Sequence, residues 1–302
     1  MDLWQIEHII KIAEEKSITK AAEKLFLTQS ALNQQLLKLE HELGTSLFKR
    51  SKANLTPTKA GEIYLEGAKD ILRIKKRTYS RIADLTDGNK GHITVGFTPG
   101  RGPNLLTKIY PIFHKNYPNT IVEPRELSVA KQQPLVASGD LDLGFMTLFP
   151  SQRTSDEYVK LYSEEIFIAI PEGHAVNKYA VEKDGFTSIP FFALKDESFI
   201  LMNKDATLRS ILNQIFRDAQ FIPNVLFETA NNSTIMEMVK TGICCGIVSN
   251  YTVQQYQNCG IKYYSFPTPL YWDVVVSYPK GVPLSKASKL FIQYAKEYWV
   301  NK

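Results

Sequence analysis

Ser17-Ile18-Thr19-Lys20-Ala21-Ala22-Glu23-Lys24-Leu25-Phe26-Leu27-Thr28-Gln29-Ser30-Ala31-Leu32-Asn33-Gln34-Gln35-Leu36 is the stretch on which the reading of this chain turns. Ser17 or Thr19 can cap a helix of about residues 19–25, its hydroxyl accepting a backbone N–H that the first turn leaves unpaired. That helix presents Ala21, Ala22 and Leu25. Phe26-Leu27 forms a brief turn, and Thr28 caps a second helix from Gln29 to Leu43, with Leu32, Leu36, Leu39 and Leu43 spaced four, three and four apart. Small residues at the crossing and a tight turn between two helices form a helix-turn-helix. The outer face of the second helix carries Gln29, Ser30, Asn33, Gln34 and Lys38. Amides and hydroxyls there suit base edges in a major groove, Asn and Gln favouring adenine.

The flanks extend this unit. Upstream, Leu3, Ile6, Ile9, Ile10 and Ala13 form a one-sided apolar stripe over residues 3–15. Downstream, Gly44 ends the second helix, and Leu47-Phe48-Lys49-Arg50 and Leu55-Thr56-Pro57-Thr58 read as two extended arms with residues 51–54 at the tip. The result is a winged helix-turn-helix over residues 1–58, with Lys49, Arg50 and Lys52 placed for phosphates. Pro57 or Thr58 then opens a helix to about Leu85, and residues 59–90 form a linker helix and hinge. Tyr64, Ala68, Ile71, Lys75, Thr78, Ile82 and Leu85 alternate spacings of four and three, with Leu65, Leu72 and Tyr79 beside them. A helix of about 28 residues is about 42 Å long, more than the preceding domain can cover. Its seam predicts a partner helix from a second copy, although Lys75 and Thr78 argue against a strict two-stranded coiled coil.

Near residue 90 the pattern changes. The turn-rich Thr86-Asp87-Gly88-Asn89-Lys90-Gly91 marks a boundary. Beyond it, runs rich in β-branched and aromatic residues alternate with helical stretches: His92–Phe97, Thr120–Glu126, Leu141–Met146, Glu165–Ile170, Phe199–Met202, Val225–Glu228, Cys244–Val248 and Trp272–Tyr278. Strands separated by helices predict parallel α/β units.

Composition narrows the function. The 302 residues suit about two domains, and 44% hydrophobic with 22% charged residues is ordinary globular content. Apolar runs such as Ile166–Ile170 fall far short of the roughly 20 residues of a membrane span. The N-terminus lacks the basic start and apolar core of a signal peptide, so a cytoplasmic chain is expected. Cys244, Cys245 and Cys259 include no C-x-x-C pair and read as reduced thiols, with neither a metal site nor a cofactor called for. His8, His41, His92, His114 and His174 are scattered, and the common nucleophile, zinc and nucleotide motifs are missing, which disfavours an enzyme. A two-lobed solute receptor with an incidental N-terminal helical domain is the other rival, disfavoured by the winged helix. Net charge is +5, and residues 49–81 hold 10 basic and 3 acidic side chains, so the excess gathers on the wing and linker.

The segments Ser17–Leu25 and Thr28–Leu36, then Leu39-Glu40, Leu43-Gly44, Leu47-Phe48-x-Arg50 and Leu55-Thr56-x-Thr58-x-Ala60-Gly61, resemble the signature of LysR-type transcriptional regulators without a gap. The resemblance implies an α+β multidomain protein: an N-terminal winged helix-turn-helix, a long linker helix, and a C-terminal two-lobed α/β effector domain (residues 91–302) similar to type 2 periplasmic binding proteins. It implies a bacterial homo-oligomer, a homodimer through the linker helix and often a homotetramer. Its partners would be double-stranded operator DNA, a small-molecule effector and RNA polymerase. On that template lobe I spans residues 91–161 and 270–302, lobe II spans 162–269, and the crossovers lie near Tyr158–Leu161 and Phe266–Pro269. The family usually has proline at position 30 and often serine and arginine at 33 and 34; here Ser30, Asn33 and Gln34 stand there, which removes a cationic contact from the reading helix.

In a two-lobed α/β domain, ligands sit where strand C-ends and helix N-termini face the cleft. Thr98, Pro99 and Arg101 follow the first strand, Ser128 the second, and Thr147 the third. Met202 ends Phe199–Met202, Arg209 lies one turn into the next helix, and Asn231 follows Val225–Glu228. Arg101 and Arg209, one from each lobe, suggest a small carboxylate or other anion as effector.

Overall fold

In a computed structural model, residues 2–50, 55–86 and 90–300 are described. The chain divides into two compact units, residues 1–82 and 83–302. In the first, α1 (Leu3–Glu15), α2 (Ile18–Leu25) and α3 (Gln29–Leu43) start at Asp2, Ser17 and Thr28, whose side chains accept from Trp4, Lys20 and Ala31 N–H. Ser17, and not Thr19, is therefore the cap of α2. Ile9, Ile12, Ala21, Ala22, Leu32, Leu36 and Leu39 close one core under the crossing of the three helices. β1 (Phe48–Arg50) and β2 (Leu55–Pro57) pair antiparallel as the wing, Arg50 opposite Leu55. The Glu40 carboxylate accepts the Leu47 and Phe48 N–H groups at 2.7 and 3.2 Å, fixing the wing to the end of α3.

Thr58 opens α4 (Lys59–Thr86): its hydroxyl accepts from Gly61 N–H at 3.0 Å and donates to the Ser46 carbonyl at 2.7 Å. A Cβ at Gly61 would fall 2.0 Å from the Leu47 carbonyl oxygen, so the helix can approach the wing this closely only with glycine there. Tyr64 and Leu65 pack on the core, whereas Ile63, Ile74, Tyr79, Ile82 and Leu85 are exposed. Lys75, which interrupts the seam, reaches Glu7 of α1 at 3.0 Å.

The second unit runs β3 (Lys90–Phe97), α5 (Gly102–Asn116), β4 (Asn119–Glu126), α6 (Val129–Ser138), β5 (Leu143–Leu148), β6 (Glu157–Pro171), β7 (Val181–Lys183) and β8 (Phe186–Ser188). It continues β9 (Ser198–Met202), α7 (Thr207–Asp218), β10 (Asn224–Thr229), α8 (Asn232–Lys240), β11 (Cys245–Ser249), α9 (Asn250–Gln255), β12 (Ile261–Tyr278) and α10 (Lys286–Val300). The main sheet path is β10-β9-β11-β6-β12-β5-β3-β4. β3 lies parallel to β4 and β5, and β9 parallel to β10 and β11. The long strands β6 and β12 join these two parallel sets antiparallel, and each serves both lobes.

Along β12, Ile261–Ser265 pairs with the last part of β6 and Leu270–Tyr278 with the first part, with a register break over residues 266–269. Pro267 and Pro269 supply no N–H there, so the ladder is interrupted where the lobes part. On β6 the change of neighbour comes at Ile166, which faces both Ser249 and Leu270, later than the Tyr158–Leu161 expected. The runs Glu165–Ile170 and Trp272–Tyr278 thus marked only half of each crossover strand. The other half of β6 is almost wholly exposed or half-exposed and that of β12 mixes buried and exposed runs, so neither has a continuous apolar signature. The hairpin β7–β8, turning through Asp184-Gly185 with positive φ at both, is an addition to the strands expected from the sequence.

Leu36 is fully buried at the centre of the first unit. Leu36→Ala should destabilise that unit by about 2–5 kcal/mol. Thermal or urea unfolding of the full chain should show it as an earlier loss of α-helical signal; an unchanged curve would contradict the assigned core.

Candidate functional site

Two surfaces gather the expected residues. On α3, Gln29, Ser30, Gln34 and Lys38 are exposed together with the cap Thr28, and Asn33 is half-buried between them. The Thr28 and Ser30 hydroxyls lie 3.2 Å apart and hydrogen-bond. Gln35 turns inward to His8 Nδ1 at 2.6 Å and is withdrawn from this face. Lys49 is exposed on β1, the Arg50 backbone lies in the wing ladder, and Lys52 falls outside the described residues.

The second surface is a cavity of about 370 Å³ in the C-terminal unit. Thr98, Pro99, Arg101, Ser128, Thr147, Met202 and Asn231 all line it. Residues at the N-terminal ends of α6, α7 and α8 border it, and Arg101 immediately precedes α5. No side chain caps α5, α6 or α7, so the N–H groups of their first turns lack side-chain partners. Thr147 and Thr252, 6% and 2% exposed, line the cavity with hydroxyls that find no protein partner among the described residues. Thr207, Ser249, Tyr251, Tyr256 and Trp272 also line it, as does the acidic Asp205. Ser249, not among the residues expected, ends β11 and so satisfies the strand-end rule that could have found it; Trp272 is brought there by the pleat of β12, which no local signal announces.

The arginines depart from expectation. Arg209 does not line the cavity: its guanidinium pairs with Glu228 at 2.9 Å and donates to the Met202 carbonyl and Asn213 side chain, both at 2.9 Å. Arg101 does line it, but its charge is met by the buried Glu164, and it also donates to the Tyr162 hydroxyl. Its guanidinium lies 4.4, 5.6 and 5.9 Å from the ring centroids of Tyr251, Trp299 and Tyr162, within cation–π range. Glu164 in turn accepts from Trp272 Nε1 at 2.8 Å, Tyr251 N–H at 3.0 Å and the Tyr162 hydroxyl at 3.2 Å. Burial pushes the Tyr162 hydroxyl above the ordinary tyrosine value, opposed by Arg101, so it remains a donor. The anion site built from two arginines is therefore corrected: both cations are already paired, and what is left at the cavity for an anion is the partial positive charge of helix N-terminal ends, beside the acidic Asp205.

On β12 next to Trp272, Asp273 takes Ser163 Oγ at 2.6 Å, Arg153 at 2.7 Å and Lys160 at 2.9 Å. Burial pushes this carboxyl up, but Ser163, Lys160 and Arg153 outweigh it and hold Asp273 below the usual value. Burial alone pushes the Cys244 thiol up to about 11, and chiefly burial takes that of Cys245 to about 12. Among the described residues no group of His, Cys, Asp and Glu could hold a metal ion, and no helix is long and apolar enough to cross a membrane.

A winged helix-turn-helix followed by a long helix and a two-lobed α/β domain with an interlobe cavity defines a DNA-binding regulator with a ligand-sensing domain. Residues 3–62 match the model of the bacterial regulatory helix-turn-helix protein, lysR family, and residues 86–300 match the LysR substrate binding domain. The chain is 30% identical over 245 residues to the HTH-type transcriptional regulator AlsR of Bacillus subtilis, covering 80% of this chain and 78% of that protein. It is 27% identical over 253 residues to the Hca operon transcriptional activator HcaR of Escherichia coli, covering 83% and 82%. A full-length OxyR variant from Pseudomonas aeruginosa shares the fold with a TM-score of 0.71 at 22% identity, over 98% of this chain and 95% of that one. Full-length CbnR complexed with its target DNA gives 0.64 at 19%, over 98% and 99%. The chain belongs to the LysR family of transcriptional regulators.

Two measurements test the cavity floor. Glu164→Ala leaves Arg101 buried without its counter-charge and should destabilise the C-terminal unit by about 3–5 kcal/mol; a loss under about 1 kcal/mol would show that the pair is readily hydrated. Because its native pKa is lowered, Asp273 contributes stability that is complete above about pH 4 and is lost as pH falls through the native value. Asp273→Asn should thus be less stable than wild type at pH 7, and the difference should shrink on acidification below about pH 4; a gap independent of pH would overturn this.

Proposed function

We propose that this regulator reads operator DNA through the start of α3 and that a small anion held in the interlobe cavity alters its promoter activity. Residues 1–58 form the DNA-binding domain, 59–90 the linker and dimerisation helix, and 91–302 the effector domain, its lobes exchanging at Ile166 and residues 266–269. Thr28, Gln29, Ser30, Asn33, Gln34 and Lys38 contact bases or the adjacent backbone, while Lys49, Arg50 and Lys52 hold phosphates. The exposed polar start of α3 supports this assignment. Thr98, Pro99, Ser128, Thr147, Met202 and Asn231 contact the effector; Arg101 acts as a paired wall residue and Arg209 as a support beneath Met202.

The observation carrying the anion is the convergence of uncapped helix starts with the unpartnered Thr147 and Thr252 hydroxyls. A small carboxylate offers acceptors for these donors without displacing Glu164. The exposed apolar side chains of α4 support a homodimer through that helix, and tetramer assembly and contact with RNA polymerase follow the family pattern. The chain acts in the cytoplasm and is not an enzyme: binding changes the balance between states only through differential affinity for them.

Gel shifts with duplexes recovered by the full-length chain from a random pool should separate the roles. Lys49→Ala and Arg50→Ala should weaken all duplexes alike and reduce the salt slope by about one. Asn33→Ala should lose about 1–3 kcal/mol at one base pair and relax preference there. A changed sequence preference in Arg50→Ala would reverse the assignment. For the cavity, di- and tricarboxylates should raise the melting temperature, and Thr147→Val should blunt the rise. Stabilisation by neutral or cationic compounds alone would rule out an anionic effector.

A further inference from the structure

Phe26 is 96% exposed, the most exposed large apolar side chain among the described residues. It ends α2 in the left-handed backbone region, φ 56°, with its N–H on the Ala22 and Glu23 carbonyls and the Leu27 N–H on the Ala22 carbonyl at 2.9 Å. Such a helix end ordinarily uses glycine, because a Cβ crowds the carbonyl in this conformation. The other described non-glycine residues with positive φ are Lys16, Asp184, Gln220 and Asn258, all polar. At Phe26 the chain therefore keeps an aromatic ring where both backbone and solvent favour something else, and no contact within the chain compensates.

Its place in the fold points to what does. Phe26 stands two residues before Thr28, the cap of α3, and its neighbours Lys24, Thr28, Gln29 and Ser30 are exposed and polar. The N-terminal end of a reading helix is the part that comes closest to the bases. Strained residues held in place at such positions are commonly part of the working surface. The exposed apolar side chains of α4 belong to a different element and do not explain a lone ring in the helix-turn-helix turn.

We infer that Phe26 is a DNA-contacting residue, its ring packing on the apolar surface of the duplex at the groove edge, either a thymine 5-methyl group or deoxyribose carbons. The contact carries no charge, so it adds affinity that salt does not screen. It rests on α3 being the reading helix.

The test uses the full-length chain and duplexes it selects from a random pool. Phe26→Gly should keep or raise the melting temperature, since it relieves the backbone, and should leave the oligomeric mass unchanged. Its affinity should fall about tenfold, with the slope of log K against log salt unaltered. Phe26→Leu should retain part of the affinity. A thymine-to-uracil scan assigns the partner: a uracil that weakens wild type but not Phe26→Gly identifies the methyl group, and uniform indifference identifies the sugar. Affinity within twofold of wild type, a changed oligomeric mass, or a salt slope reduced by one would each overturn the inference. Asn33→Ala serves as the independent control. If it alters preference while Phe26→Gly is silent, α3 reads DNA without Phe26; if it is silent while Phe26→Gly loses affinity, Phe26 contacts the duplex and Asn33 is not a base-reading residue of α3.

Discussion

Two strands that belong to both lobes at once constrain the effector domain. β6 and β12 pair along most of their lengths, and the register break over residues 266–269 is where that pairing passes from one lobe to the other. Because they are antiparallel to their sheet neighbours, the parallel strands on either side run their C-ends toward a common region. The helices that follow those strands must then begin there, which is why residues at the starts of α6, α7 and α8 border one cavity. The cavity is a consequence of topology before it is a matter of particular side chains.

What the side chains add is a charged pair beside the crossing. Glu164 and Trp272 face each other across β6 and β12, and their neighbours Ser163 and Asp273 do the same. Each carboxylate is satisfied on its own side, Glu164 by Arg101, Trp272, Tyr162 and the Tyr251 N–H, Asp273 by Ser163, Arg153 and Lys160. A buried carboxylate with several fitted donors tolerates little displacement of any of them. Arg101 comes from the start of α5, Tyr251 from α9 and Trp299 from α10, so elements of both lobes are held to the same crossing.

How much of this the sequence disclosed depends on how local each signal is. The three helices of the first unit were readable because caps such as Thr28 and leucines at Leu32, Leu36 and Leu39 lie within a few turns of one another. The strand-end loops supplied seven of the residues that line the cavity for the same reason. The fate of Arg101 and Arg209 was not readable. Glu164 lies 63 residues from Arg101, and only the folded sheet decides that β6 brings it beneath the α5 start. A free cation and a paired one have the same letter. The wing was legible as two short arms, whereas Glu40 as the residue that fastens it was not, since an acidic residue late in an exposed helix carries no distinctive pattern.

The same distinction applies to charge. The basic excess over residues 49–81 gathers on the wing and linker, yet Lys59 pairs with Glu62, Arg73 with Asp70 and Lys75 with Glu7. A cation already facing a carboxylate at short range contributes less field at a distance than an unpaired one. Part of the linker charge therefore serves the helix itself and its contact with α1, and the exposed Lys49 on the wing gains relative weight. In the effector domain the balance is reversed. There Arg101 is paired with Glu164, and the donors that face the cavity include first-turn backbone N–H groups and the Thr147 and Thr252 hydroxyls, with Asp205 also in the wall. Backbone N–H groups are fixed in direction by the helices that carry them, whereas a threonine hydroxyl turns to suit its partner, so the wall combines rigid donors with adaptable ones.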